Sequence, residues 1–406
     1  MEGQTTATHV RTATAGPGGT LARFTVGFGL SAIGQSMSTV AILVVVHERT
    51  DSVAWVGLAA AARLLPYLLV SPVAGALADR VDRRALFLAS LLSRGLLAVV
   101  LAAAVAFQPA IATLILLSFA FTACGTPCFP AALASLPHLT RGGDLARPTA
   151  IVSTVETGGY LAAPAIGGAL LLTTSATVVL LVNAVVLAVA TVFIPRRLGR
   201  AETSSDDCEG LVDGLAQGVR LVADRPVVRA SMLSVVVVSL MGGAVSVLVV
   251  PMATDQLGGD STGTGLLVAA LGSGAVLGAG LAAWRTTWSA AVSLAMAGGP
   301  LVLVAPVAKA GVVAALLVVA GAAAALFEVT MITRIRELTP EHLVARVFGL
   351  FDAAVVGAEV AGALVAPLVL GLVGLGATLV VIGIAAPVIS FSALRRVRGA
   401  SLRSAA

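Results

Sequence analysis

Six ionisable residues stand inside long apolar runs: Arg63, Arg94, Glu156, Glu328, Asp352 and Glu359. A charge at the centre of a membrane costs at least ~2.5 to 3.5 kcal/mol on insertion scales, so each needs a partner or a use. A carboxylate withdrawn from water favours its protonated form, and an incoming cation or a nearby arginine can displace that proton. Buried carboxylates are therefore the minimum equipment for proton exchange. Glu359, about twelve residues into its run, and Glu156, about eight residues into its own, are the foremost candidates. Arg63 precedes Asp79 by 16 residues, which puts it roughly 24 Å from the inner surface, in the outer half. Arg94 and Glu328 are read as lying about three turns and about one turn from inner helix ends, where snorkelling or a structural ion pair competes with substrate contact. Asp352, about one turn into its run, would complement the positive N-terminal dipole of its helix. The competing view of Glu156 and Glu359 is that each pairs with a neighbouring helix only for assembly.

Other chemistries find no support. The chain has no Gly-x-x-x-x-Gly-Lys-Ser/Thr loop, and its single lysine, Lys309, falls on the outer side, which argues against nucleotide-driven work. No Ser/His/Asp set is visible, and His9, His47, His138 and His342 are all expected in tails or loops, so neither an enzyme nor a histidine relay within the membrane is indicated. Cys124 and Cys128 would share a helix face, and Cys208 lies in a loop. Without a histidine nearby, the pair reads as small packing residues, and no metal or cofactor is expected.

The elements that must position the charged residues follow from composition. Hydrophobic residues make up 58% of the 406 and charged ones only 11%, with a mean hydropathy of +1.03. That is far from the roughly 25% charged residues of soluble domains. Twelve apolar runs are long enough to cross a bilayer as helices: 22–46, 53–77, 86–107, 110–135, 148–172, 176–195, 231–253, 262–284, 287–307, 311–333, 347–371 and 373–394. With the N-terminus inside, nearly all the basic residues fall in cytoplasmic loops and tails. Only Arg49 and Lys309 lie outside, so both termini are placed in the cytoplasm. The net charge of +5 then belongs beside anionic headgroups, with no need for nucleic acid.

Residues 196–230 form the long loop between the halves. Within it Leu211, Leu215, Val219 and Val222 recur at helical spacing, the pattern of a helix lying on the inner surface. The expected organisation is a disordered tail (1–20), a six-helix bundle (21–195), this linker, a second six-helix bundle (231–394) and a tail (395–406). Two bundles joined by a cytoplasmic linker suit a rocker that closes alternately around a midplane site.

Between the second and third runs stands Gly75-Ala-Leu-Ala-Asp79-Arg80-Val-Asp82-Arg83-Arg84, a tight charged turn. It resembles the signature loop between helices 2 and 3 of major facilitator superfamily transporters. The stretch Gly158-Gly159-Tyr160-Leu-Ala-Ala-Pro164-Ala-Ile-Gly167-Gly168 resembles the helix 5 motif of exporters in that superfamily, with Ala163 where Gly is usual. Arg63-Leu-Leu-Pro66, Arg94, Asn183-Ala184, Gly218-Val-Arg220, Arg225-Pro226, Thr339-Pro340-Glu341 and Arg346-Val-Phe-Gly349 are similar to the enterobactin-exporter-like group, over roughly residues 20 to 395. The fourth run departs from many proton-coupled drug exporters by having no Arg.

The resemblance implies an all-α integral membrane fold of twelve transmembrane helices in two pseudo-symmetric six-helix bundles. It implies a monomeric multi-pass exporter of the bacterial cytoplasmic membrane, whose partners are a small amphipathic molecule, protons and lipids. By the same resemblance, Asp79 meets the N-terminus of helix 11, with Arg346, to latch the outward-open state, and Arg80, Arg83 and Arg84 anchor the turn to headgroups and acids. A solute-uptake symporter of the same fold, or a membrane receptor that no longer transports, are the other readings.

Overall fold

The computed structural model describes residues 17–70, 81–140, 146–196, 198, 219–220, 222–259, 261–283, 290–339 and 344–403. Among these every regular element is helical: α1 (Pro17–Thr50), α2 (Val53–Leu69), α3 (Arg83–Phe107), α4 (Ile111–Leu139), α5 (Ala146–Leu171) and α6 (Ala176–Phe193) in the first half. The second half holds α7 (Pro226–Gln256), α8 (Ser261–Ala283), α9 (Ala290–Val304), α10 (Ala310–Leu338), α11 (344–373) and α12 (375–403). Eight described stretches are long and apolar enough to cross a membrane, and the 49-residue one spanning α11 and α12 is too long for one crossing. Its turning point is Gly374, at φ 78°, a backbone that a residue without Cβ adopts freely. The fold is thus the expected all-helical bundle pair.

Boundaries differ from expectation where polar residues join a helix. α1 begins at Pro17 and runs to Thr50, because Thr and Gly at one end and His47 and Arg49 at the other remain helical once packed. α4 breaks at Thr126-Pro127, where the proline ring cannot continue the preceding turn, then resumes to Leu139. α7 starts at Pro226, a favoured first helical residue, rather than at 231. α12 runs on to Arg403, so the stretch expected as a tail is mostly helix. The surface helix proposed for the linker lies almost wholly outside the described residues.

Two histidines are not in loops. His47 is buried in the last turn of α1, and His138 lies near the end of α4, where its Nδ1 accepts from Arg83 Nη1 at 3.2 Å. Arg83 is accordingly buried against α4 instead of reaching headgroups. Asp82 caps α3, its Oδ1 accepting from Ala85 N at 2.8 Å. At the other end of α3, Arg49 donates to the carbonyls of Ala104 at 3.2 Å and Val105 at 2.5 Å, tying the end of α1 to the last turn of α3.

The two bundles meet chiefly through α2 against α11 and α5 against α8. Small residues set how closely they approach. A Cβ on Gly57 would lie 2.5 Å from Ala363 O and 2.8 Å from Pro367 Cγ, and one on Gly168 would lie 2.5 Å from Gly265 O. His47 and Thr254 add a polar contact of 3.3 Å between α1 and α7. All these contacts sit at the ends away from the basic loops. Toward the basic side, α4 makes no substantial contact with α10 or α11 among the described residues. Among the described residues the contacts between the bundles thus lie toward the outer ends.

Candidate functional site

Within the first bundle α1, α2, α3, α4 and α5 line a cavity of about 70 Å³. Phe28, Phe129 and Ala32 supply an apolar wall; Ser31, Gln35, Tyr67, Arg94, Cys128, Glu156 and Tyr160 supply polar points. Gly125 makes the Gln35 position possible, since a Cβ there would fall 2.8 Å from Gln35 Cδ. Gln35 Nε2 donates to Tyr67 Oη at 3.0 Å, while Gln35 Oε1 is buried without a partner.

Arg94 does not snorkel. It is 1% exposed, donates from Nη1 to Ser31 Oγ at 2.9 Å and from Nη2 to Ser31 O at 3.0 Å, and lies 5.2 Å from the Phe121 ring centroid. Ser31 on α1 is reached by the length of the Arg94 side chain, and these two bonds hold the guanidinium at depth.

One carboxylate of the first bundle, Glu156, and three of the second, Glu328, Asp352 and Glu359, influence one another in pairs. Tyr160 Oη of α5 donates to Glu359 Oε2 of α11 at 3.4 Å, a side-chain bond spanning the bundles. Glu359 is half-buried and lies within electrostatic reach of Arg63 and Glu328; Asp352 is similarly close to both Glu156 and Glu328. Glu328 precedes Leu338, the last residue of α10, by ten positions, so it lies nearly three turns from the inner end and joins the cluster instead of the interface. Asp352 is likewise eight residues past the start of α11 at Val344, deeper than one turn. Arg63 keeps two buried nitrogens, Nε and Nη1, without hydrogen-bond partners. Gly243 fixes the level of Glu359, because a Cβ there would fall 2.8 Å from the Glu359 Cα, so α7 and α11 touch backbone to backbone.

Of the helix 5 motif, Gly159 packs on Ala32, Gly167 on Met37 and Gly168 on α8; Gly158 meets nothing, and Pro164 is half-buried within α5. Gly75, Asp79, Arg80 and the Arg346 side chain lie outside the described residues. Arg84 is half-buried with its Nε unpartnered. Tyr67 and Tyr160 were missed by sequence reasoning. Tyrosine inside an apolar run is the signal that could have found them, since its hydroxyl needs a partner there. Among the described residues no group of three metal-ligating side chains comes together.

A polar, charged cavity in the first bundle, beside a side-chain bond that reaches the second bundle, is an arrangement that suits a membrane transporter built of two helical bundles. The sequence model of the Major Facilitator Superfamily matches residues 24–354, and the chain belongs to that superfamily. Curated protein sequences give no match. Among solved structures, the nucleoside transporter NupG (D323A mutant) superposes with a TM-score of 0.70 at 12% identity, over 94% of this chain and 99% of that one. A bacterial homologue of the human lysosomal transporter Spinster, inward-facing and unoccupied, gives 0.65 at 16%, over 94% and 92%. The human organic anion transporter MFSD10 gives 0.63 at 16%, over 94% and 100%. At these identities the likeness is one of fold. The chain is therefore a multi-pass membrane transporter.

Proposed function

We propose that the protein is a secondary active exporter of the enterobactin-exporter-like group, moving a small amphipathic organic compound out across the bacterial cytoplasmic membrane in exchange for protons. The observation that carries the coupling is the Tyr160–Glu359 bond across the bundles, with Arg63 and Glu328 within electrostatic reach of Glu359 and Asp352 within that of Glu156 and Glu328. A proton held on a carboxylate there is released when substrate or Arg63 takes its place, and closing the bundles on the inner side carries the exchange through the membrane. Export as the direction is supported by the helix 5 motif and by the residues shared with that group. Both termini are assigned to the cytoplasm on the distribution of basic residues.

Inside-out vesicles with an internal pH dye test this reading against a panel of amphipathic cations, anions and zwitterions. Wild-type protein should move protons in response to at least one compound, and Glu359→Gln together with Glu156→Gln should remove that response while substrate binding persists. Coupled flux surviving in the double variant would place the proton site elsewhere. Proton movement of the opposite sign would make the protein an uptake symporter, and no response from any compound would favour a non-transporting role.

A further inference from the structure

A guanidinium buried inside a membrane bundle needs an opposite charge, yet the two hydrogen bonds of Arg94 go to Ser31, and its Nε is buried with no partner. Arg94 lines the cavity. Around it the same cavity offers groups suited to an anion. Tyr67 Oη accepts from Gln35, which leaves the phenolic proton to donate into the cavity, and Phe28 and Phe129 can hold an apolar body beside the charge. Glu156 also faces this space. While ionised it repels an anion; once protonated it becomes a donor.

We propose that the cavity seats the acidic end of the substrate, a carboxylate or similar monoanion, on Arg94, so that the cargo is an amphipathic organic acid and not a lipophilic cation. The inference deepens the exporter reading and rests on this cavity being the transport site. The unpartnered Gln35 Oε1 marks where a hydroxyl or N–H of the same molecule would donate.

Three probes of one shape test it: 1-naphthoate, the neutral 1-naphthamide and the cationic 1-naphthylmethylammonium, titrated calorimetrically into the full chain in lipid nanodiscs. Naphthoate is expected to bind at least about tenfold tighter than naphthamide, the effect of one well-placed charged pair. Arg94→Gln should erase that ratio and Arg94→Lys should keep part of it. At alkaline pH, where Glu156 is ionised, Glu156→Gln should tighten naphthoate binding without moving naphthamide, a gain that a merely structural Arg94 does not predict and that survives if Arg94→Gln fails to fold. Equal affinities for the three probes, preference for the cation, no naphthoate binding, or an unchanged ratio in Arg94→Gln each overturns the proposal. Binding is read without a gradient, so loss of proton-coupled flux with the naphthoate preference intact would sink the exporter reading alone.

Discussion

Arg94 and Glu328 show what a single position in a sequence does and does not disclose. Their presence inside apolar runs marked them as groups in need of explanation; Arg94 stands about three turns from Arg83, as expected, whereas the depth of Glu328 came from a helix end placed too short. Leu338 ends α10 well beyond the apolar run, because Arg334, Arg336 and Glu337 extend the helix into the polar zone. The Arg94–Ser31 pairing was invisible for a different reason: it depends on which face of α1 meets α3, and an all-apolar composition leaves no periodic face to read. Tyr160 carries a residue-scale prediction. Its bond to Glu359 is neutral-to-acid, long at 3.4 Å and close to open space, with Tyr160 38% exposed. Such a bond contributes about 0.5–1.5 kcal/mol at most. Tyr160→Phe should therefore alter the transport rate by no more than about tenfold and leave proton coupling intact. Coupled proton flux in vesicles checks this; a Tyr160→Phe variant as uncoupled as Glu359→Gln would make the tyrosine part of the proton path.

Helix pairs answer a different question, namely which surfaces must part. The paired glycines of α5 were legible as close-approach positions, yet only the structure divides their tasks: Gly159 and Gly167 hold α5 on α1 within one bundle, whereas Gly168 meets Gly265 of the other bundle. Gly57 against Ala363 and Pro367 does the same between α2 and α11. Gly274 and Gly278 of α8 pack within one bundle against Val318 and Ala322 of α10. A side chain at Gly168 would thus block closure of the outer seam and leave the fold of each bundle intact. Gly168→Val should abolish transport and admit water from outside. With Gln35→Cys as the only cysteine, after Cys124, Cys128 and Cys208 are replaced by Ser, a membrane-impermeant thiol reagent applied outside should label the cavity several-fold faster in Gly168→Val than in its Gly168 parent. Equal labelling would mean that the seam closes around the added bulk, and that the α5–α8 contact is no gate.

At the scale of the whole molecule, the two-bundle arrangement was readable from twelve apolar runs and one long basic linker, but its state was not, since one sequence serves every state of a transporter. The state is indicated by where the described residues of the two bundles touch: Gly57, Gly168, Gly265 and the His47–Thr254 pair hold the outer ends together, and α4 shares no substantial described contact with α10 or α11. An inward-facing state has such outer contacts, and in it a latch between the Asp79 turn and the start of α11 is expected to be open. If Asp79 stabilises the alternative, outward-facing state, then Asp79→Asn removes an attraction present in only one of two states and must shift the population toward the other. Spin labels on a cysteine-free background report this: Glu48 with Asp255 at the outer ends, Pro137 with Arg334 at the inner ends. Asp79→Asn should insert in the membrane normally, lose transport, and hold the inner pair at its long distance and the outer pair at its short one with or without a proton gradient. Wild-type flux, or an inner pair that still closes, would remove Asp79 from the latch and leave the outer glycine seam as the element whose opening sets the balance between the two states.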